Sequence, residues 1–247
     1  MPSTLPATPA PRFRRWFLPG LLALVLATPA GAQSRKISLR ALCFQHVDDI
    51  HDVLLVTGTE DDPVTTPVRL FTSAYSDPVE VTVTGPRLVF AVQPGGPAGG
   101  DQLRIVAEAP LAAGARQMVI FLPSRKAGRP YELTVIDESE AAFPMGSTLI
   151  YNITSTSARF TIGEYGRELK PGAHGLIPLP KRTNSLNQCT VRVFLADRDG
   201  AWQAVSSTVW KTSPKLRSLA LTYIHPRTMQ PTVHCFQETP PWRLPKL

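Results

Sequence analysis

From about residue 37 onward, apolar and polar residues alternate with a period of two, in runs of four to eight residues rich in β-branched side chains. That period belongs to strands with one face buried. The runs predict strands at residues 37–44, 53–57, 68–71, 79–83, 88–92, 103–108, 117–122 and 131–137. A second series follows at 148–154, 158–162, 175–179, 190–196, 203–209, 219–224 and 232–237. Turn chemistry separates them: Asp61-Asp62-Pro63, Asp77-Pro78, Thr84-Gly85-Pro86, residues 93–97 (QPGGP) and residues 127–130 (AGRP). After the first 32 residues no stretch keeps apolar residues three to four apart for three helical turns. The expectation is an all-β chain of two tandem immunoglobulin-like antiparallel sandwiches, each of about seven strands.

The two series end alike. Arg116 opens an apolar strand, Pro130 stands fourteen residues on, and the last strand closes with Asp137-Glu138. Arg217 opens another such strand, Pro231 stands fourteen on, and the closing strand ends with Gln237-Glu238. A tandem duplication is the economical explanation. It sets the domains at 33–140 and 141–247, joined by a short acidic linker, residues 137–142, with Phe143 and Pro144 placed to pack between them.

Length agrees, since 247 residues less a leader leave about 100 per domain, a common size. The leader is residues 1–32. Arg12, Arg14 and Arg15 precede an apolar run at 16–27, and Ala30-Gly31-Ala32 supplies small residues for cleavage before Gln33. The run is too short to span a bilayer. Arg14-Arg15-Trp16-Phe17-Leu18 also has the core of a twin-arginine signal, with Phe13 and Pro19 departing from it. The expected location is therefore outside the cytoplasm, periplasmic or extracellular. Removing the leader arginines takes the formal charge from +7 to +4. The remaining basic residues are scattered through turns, a pattern that argues against a nucleic-acid partner and fits attraction to acidic envelope polymers.

Three cysteines allow at most one internal bridge, and Cys189–Cys235 is the pair expected if one forms. Cys43 alternates with Ile37, Leu39 and Ala41 and reads as a small core residue.

Residues 143–180 carry Phe143-Pro144, Gly146, a strand reaching Asn152, a further strand, and Lys170-Pro171-Gly172. This order resembles uncharacterised secreted tandem β-sandwich proteins of bacteria and, more distantly, periplasmic accessory proteins of alginate acetylation. The resemblance covers about forty residues of strand-end and turn type, so it implies a fold and no catalytic residue. Two exported sandwiches also look like periplasmic pilus-assembly chaperones, and residues 111–121 are similar to the turn and strand late in their first domain. Arg40 would be one half of the basic pair that anchors a client carboxylate there, and no lysine supplies the other.

Candidate chemistry is sparse. His46, Asp48, Asp49, His51 and Asp52 could hold a metal ion, although no calcium-loop spacing is present. No nucleophile elbow or cysteine signature occurs, and His174, His225 and His234 stand alone. Glu132, Asp137 and Glu164 could be paired as glycosidase carboxylates only on paper. Trp202 and Trp210 stand eight apart, an even spacing that puts both on one face of an unbroken strand, either as core or as a platform for sugar rings. Trp242 and Leu244 on a proline-rich tail either dock or bind a partner.

The sequence thus points to a non-enzymatic exported binding or structural protein, without cofactor, recognising an envelope protein or an acidic polysaccharide. Arg40, Phe143, Tyr151 and Trp242 would line an interdomain groove for a protein, and Trp202 and Trp210 would serve a sugar. The alternatives are a metal-dependent enzyme using residues 46–52 and a chaperone-like assembly factor.

Overall fold

The computed structural model describes residues 34–59, 62–93, 103–124 and 127–244. The leader at 1–32, the turn at 94–97, Asp61 and Lys126 lie outside these residues. Sixteen strands and one short 3-10 turn make up the described secondary structure. The first eight are β1 (Ser34–Cys43), β2 (Asp52–Gly58), β3 (Pro63–Arg69), β4 (Val79–Thr84), β5 (Arg87–Val92), β6 (Arg104–Pro110), β7 (Arg116–Pro123) and β8 (Tyr131–Asp137). The second eight are β9 (Thr148–Asn152), β10 (Ala158–Ile162), β11 (Tyr165–Leu169), β12 (His174–Ile177), β13 (Gln188–Ala196), β14 (Trp202–Lys211), β15 (Arg217–Ile224) and β16 (Pro231–Glu238).

They form four four-stranded sheets, ordered β4-β1-β7-β8, β3-β2-β5-β6, β12-β9-β15-β16 and β11-β10-β13-β14. The second eight strands repeat the first in number and in neighbours. The chain is all-β, built as two sandwiches of eight strands each, as many as the sequence shows in the first half and one more than it shows in the second. The strand absent from the sequence reading is β11. Its five residues, Tyr-Gly-Arg-Glu-Leu, have an exposed polar middle and no alternation. What makes the strand is the two-residue turn before it, where Gly163 sits at φ +58° with Pro180 packed where a Cβ would stand.

In each sandwich the first and seventh strands pair in parallel, β1 with β7 and β9 with β15, while the remaining pairs are antiparallel. The repeated strand ends superpose in register. Arg116 lies opposite Glu138 across β7–β8, as Arg217 lies opposite Glu238 across β15–β16. The prolines do not: Pro130 falls just before β8, whereas Pro231 is the first residue of β16, so the first hairpin loop is one residue longer.

Three apolar cores result. Ile37, Leu39, Ala41 and Cys43 of β1 meet Val119 and Phe121 of β7 inside the first sandwich. Ile150, Phe160, Val191, Val193 and Ala220 fill the second. The third core lies between the sandwiches, where sheet β4-β1-β7-β8 faces sheet β12-β9-β15-β16. It is made by Leu42, Met118, Ile120, Leu122 and Ile136 from the first half and Phe143, Leu149, Tyr151, Leu219, Leu221 and Phe236 from the second. Its members are matched by register: Leu42 opposite Ile120 corresponds to Tyr151 opposite Leu221, and Met118 opposite Ile136 to Leu219 opposite Phe236. This explains why β7 and β15 read as continuous apolar runs. Each is a central strand with both faces buried. From Ala32 to Leu247 the chain is one compact unit.

Candidate functional site

The junction of the sandwiches brings together Arg40, Phe143, Tyr151 and Trp242. One end is closed by charge. Arg40 on β1 donates from Nε to both Glu138 carboxylate oxygens, at 2.9 and 3.1 Å, and from Nη2 to Glu138 Oε1 at 2.5 Å. It also binds Glu238, from Nη1 to Oε2 at 2.5 Å and from Nη2 to Oε1. Arg217 holds the same two carboxylates, Nη2 to Glu138 at 2.5 Å and Nε to Glu238 at 3.0 Å, and its Nη1 donates to the Glu138 carbonyl at 3.2 Å. Exposures of 3%, 1%, 1% and 12% for Arg40, Glu138, Arg217 and Glu238 place all four charges out of water. Two cations and two anions cancel, which is what makes such burial tolerable. Burial by itself would lower the pKa of Arg40, but its hydrogen bonds to Glu238 and Glu138, with their negative charges, outweigh it and the net shift is upward.

Aromatic rings enclose this cluster. Tyr75 stacks against Arg40 at 4.1 Å and Phe143 against Arg217 at 4.5 Å. Burial, followed by the nearby Glu238 carboxylate, raises the Tyr75 pKa and keeps its hydroxyl protonated. The tail folds back so that the Trp242 ring lies 4.7 Å from Arg116, 4.8 Å from Arg217 and 5.7 Å from Arg40. Arg243 fastens it to Glu140 at 2.5 Å, and that bond holds the Glu140 carboxyl below its ordinary pKa. Leu244 remains exposed.

Arg40 and Phe143 are therefore buried at the closed end of the junction rather than lining an open groove, and the Arg40 guanidinium is committed to two carboxylates, so it does not present a free carboxylate anchor. Glu138, Glu238 and Arg217 were not singled out as site residues, yet they hold the cluster together. Their signal was the repeated Arg and Glu at the strand ends, which marked equivalent positions without showing that these meet.

The other end of the junction is open. A cleft of about 510 Å³ is lined by Phe44, Leu122 and Pro123 from the first sandwich and by Ile153, Thr154 and Pro171 from the second, with Glu132 on its rim. Tyr151 lines it too, and its hydroxyl shares a 2.5 Å hydrogen bond with Thr134 across the two sandwiches. Burial raises the Tyr151 pKa. Asn152 behind it is fully buried. Its Nδ2 donates to the carbonyls of Thr156, Leu169 and Lys170, and its Oδ1 accepts from Thr154. The Asn152 and Lys170-Pro171-Gly172 pattern is thus a knot that shapes one wall of the cleft, closed by Gly172 N–H donating to the Asn152 carbonyl at 2.9 Å.

The remaining candidates lie elsewhere. His46 Nε2 is 2.9 Å from the Leu70 carbonyl and its ring packs on His51 at 4.1 Å, while Asp48, Asp49 and Asp52 are exposed. Among the described residues no three His, Cys, Asp or Glu side chains gather as a metal site. Glu132, Asp137 and Glu164 occupy the cleft rim, the end of β8 and the β10–β11 turn, where Glu164 accepts from the Lys181 N–H at 2.8 Å. Cys43, Cys189 and Cys235 are free thiols in this structure, with no bridge joining Cys189 and Cys235.

The two tryptophans do not share a face. The β13–β14 register slips between Val193 and Phe194, because Val205 is an extra residue in β14. The bulge breaks the alternation. Trp210, opposite Cys189, packs against the second core, whereas Trp202 lies against the Arg159 guanidinium at 4.1 Å on the outer sheet face.

No family model matches the chain, and no curated protein matches it. Among the described residues no helix is long and apolar enough to cross a membrane.

Proposed function

We propose that this is an exported, non-enzymatic binding protein of the bacterial envelope, which receives an extended segment of a partner protein in the cleft between its sandwiches. The observation that carries this reading is the cleft itself. Its walls come from two domains that a shared apolar core and a four-charge cluster hold at one separation, so the site is preformed and binding would lose little to ordering. Its lining sets the apolar Phe44, Leu122, Pro123, Ile153 and Pro171 beside the polar Ser124, Glu132, Thr134, Tyr151 and Thr154, which suits a peptide with alternating apolar and polar side chains and one basic residue.

The test places a photo-crosslinking side chain at Ile153 in the cleft and, as control, at exposed Val64. The expected result is a partner captured from Ile153 alone, and lost when Glu132→Lys reverses the rim charge. Equal capture from both positions, or capture indifferent to Glu132→Lys, overturns the reading.

A second reading rests on Trp202. An indole backed by Arg159 on an open sheet face suits an acidic polysaccharide. A melting-temperature rise with such a polymer that disappears in Trp202→Ala would select it over the cleft.

A further inference from the structure

Strand β14 is the outer strand of its sheet, pairs on one side only with β13, and at ten residues equals β1 as the longest strand described. Folded proteins blunt such edges with proline, charge or brevity. Most of the other outer strands follow this habit. β3 carries Pro63 and Pro67, β6 carries Arg104, Glu108 and Pro110, β8 carries Glu132 and Asp137, β16 carries Pro231 and Glu238, and β11 and β12 have five and four residues; β4 relies on its length of six residues and Glu80. β14 has no proline and a single charge, Lys211, at its end.

Backbone polarity along β14 follows from two hydrogen bonds. Thr212 N–H donates inward to the Asn187 carbonyl at 2.8 Å, and the Ala201 carbonyl accepts from Asp197 N–H at 2.9 Å. Counting back from Thr212 in twos, Trp210, Thr208 and Ser206 also face β13. The N–H and C=O groups of Ser207, Val209 and Lys211 therefore point off the sheet, where the Lys211 carbonyl already accepts from Gln237 Nε2 at 3.0 Å. The bulge at Val205 turns the strand beyond them and limits the regular open edge to residues 206–211.

We infer that this edge pairs with the same edge of a second copy, antiparallel and centred on Val209, to make a two-fold dimer with a continuous eight-stranded sheet. The register is self-complementary. Val209 faces Val209 and Ser207 faces Lys211, all residues with outward backbone groups, so every outward donor meets an outward acceptor, with the Lys211 carbonyl taking the Ser207 N–H on its second lone pair or in place of the Gln237 side chain. Val209, 55% exposed, finds an apolar partner in its own copy. Thr208 comes opposite Trp210 on the inner face, and no charge lies directly opposite a like charge. Such a contact is isologous and closes after two copies. Lys211 of one copy would stand two strands from Arg192 of the other, about 10 Å away. This residual repulsion is screened by salt, so the dimer should tighten as salt rises, whereas an acidic foreign strand on the same edge should loosen.

Sedimentation of the purified protein between about 1 and 100 µM tests the proposal. A concentration-dependent dimer is expected, strengthened by salt. Val209→Lys, which sets two like charges face to face, should abolish it. Val209→Pro should do so as well, because it removes an outward donor and no bond to β13. The register is read with Val209→Cys: a hydrogen-bonded pair places its Cα atoms about 5.5 Å apart, within disulfide reach, so this variant should cross-link to itself under oxidation while Ser207→Cys does not. A monomer at every concentration overturns the proposal. So does a dimer that persists in both Val209→Lys and Val209→Pro, or one that cross-links equally through Ser207→Cys.

Discussion

Arg116 and Arg217 occupy the same place in the two sandwiches, each opening the seventh strand opposite a glutamate, yet they have different lives. Arg217 is buried and holds both Glu138 and Glu238, whereas Arg116 is exposed and rests against Trp242. The second cation for the cluster comes from Arg40, whose counterpart in the other half is Leu149, since Arg40 pairs with Met118 as Leu149 pairs with Leu219. The halves share shape and have diverged in charge. A repeated residue marks a repeated position, but its energetic weight depends on what the opposite sheet brings to it.

The comparison can be broken most sharply at those arginines. Arg217→Ala leaves two carboxylates buried with one cation and should cost about 3–5 kcal/mol in denaturant unfolding, against less than about 1 kcal/mol for Arg116→Ala. Equal losses would refute the asymmetry. The shared core should behave oppositely. Met118→Ala and Leu219→Ala, at matched positions, should each cost about 2–5 kcal/mol and leave a single unfolding transition followed by both fluorescence and circular dichroism. Two separated transitions would show that the sandwiches are independent. Within the second half, Trp210→Ala should lower stability by about 2 kcal/mol, and Trp202→Ala by less than about 1, because only the first packs on a core.

The smallest effect concerns pH. Burial pushes the Cys43 and Cys235 thiols up to about 11 from an ordinary 9.0. A thiol whose folded pKa is raised gives stability that is complete below pH 9 and is lost as pH climbs from 9 towards 11, since the unfolded chain ionises first. The urea midpoint should therefore fall across that range. Both thiols should resist alkylation at pH 8 until the protein is unfolded.

Much of the fold was legible because sandwich strands with one wet face announce themselves by alternation, as β2 and β13 do. β7 and β15 were legible for another reason, their unbroken apolar runs, although nothing in those runs said that the second face met another domain. β11 escaped because an exposed outer strand of five residues has little to bury. The tryptophan spacing misled because a bulge changes parity by one residue and needs no special side chain to do so; Val205 looks like any strand valine. Glu138 read as part of a short acidic linker. Its burial depends on Arg40, nearly a hundred residues earlier, and on Arg217, nearly eighty later, a convergence that no local pattern encodes.

The parallel pairing of β1 with β7 and of β9 with β15 also sets an order in time. β1 is the first strand described, yet its neighbour β7 is the seventh of the eight in its sandwich, so the first core cannot close until some eighty further residues have appeared. The shared core waits longer still, because Leu219, Leu221 and Phe236 belong to the last two strands of the second sandwich. For most of its synthesis the chain therefore carries apolar strands, β7 above all, with one face uncovered. Contacts so distant in sequence make for slow folding, and uncovered strands invite aggregation. The hazard lasts until β15 and β16 cover that face.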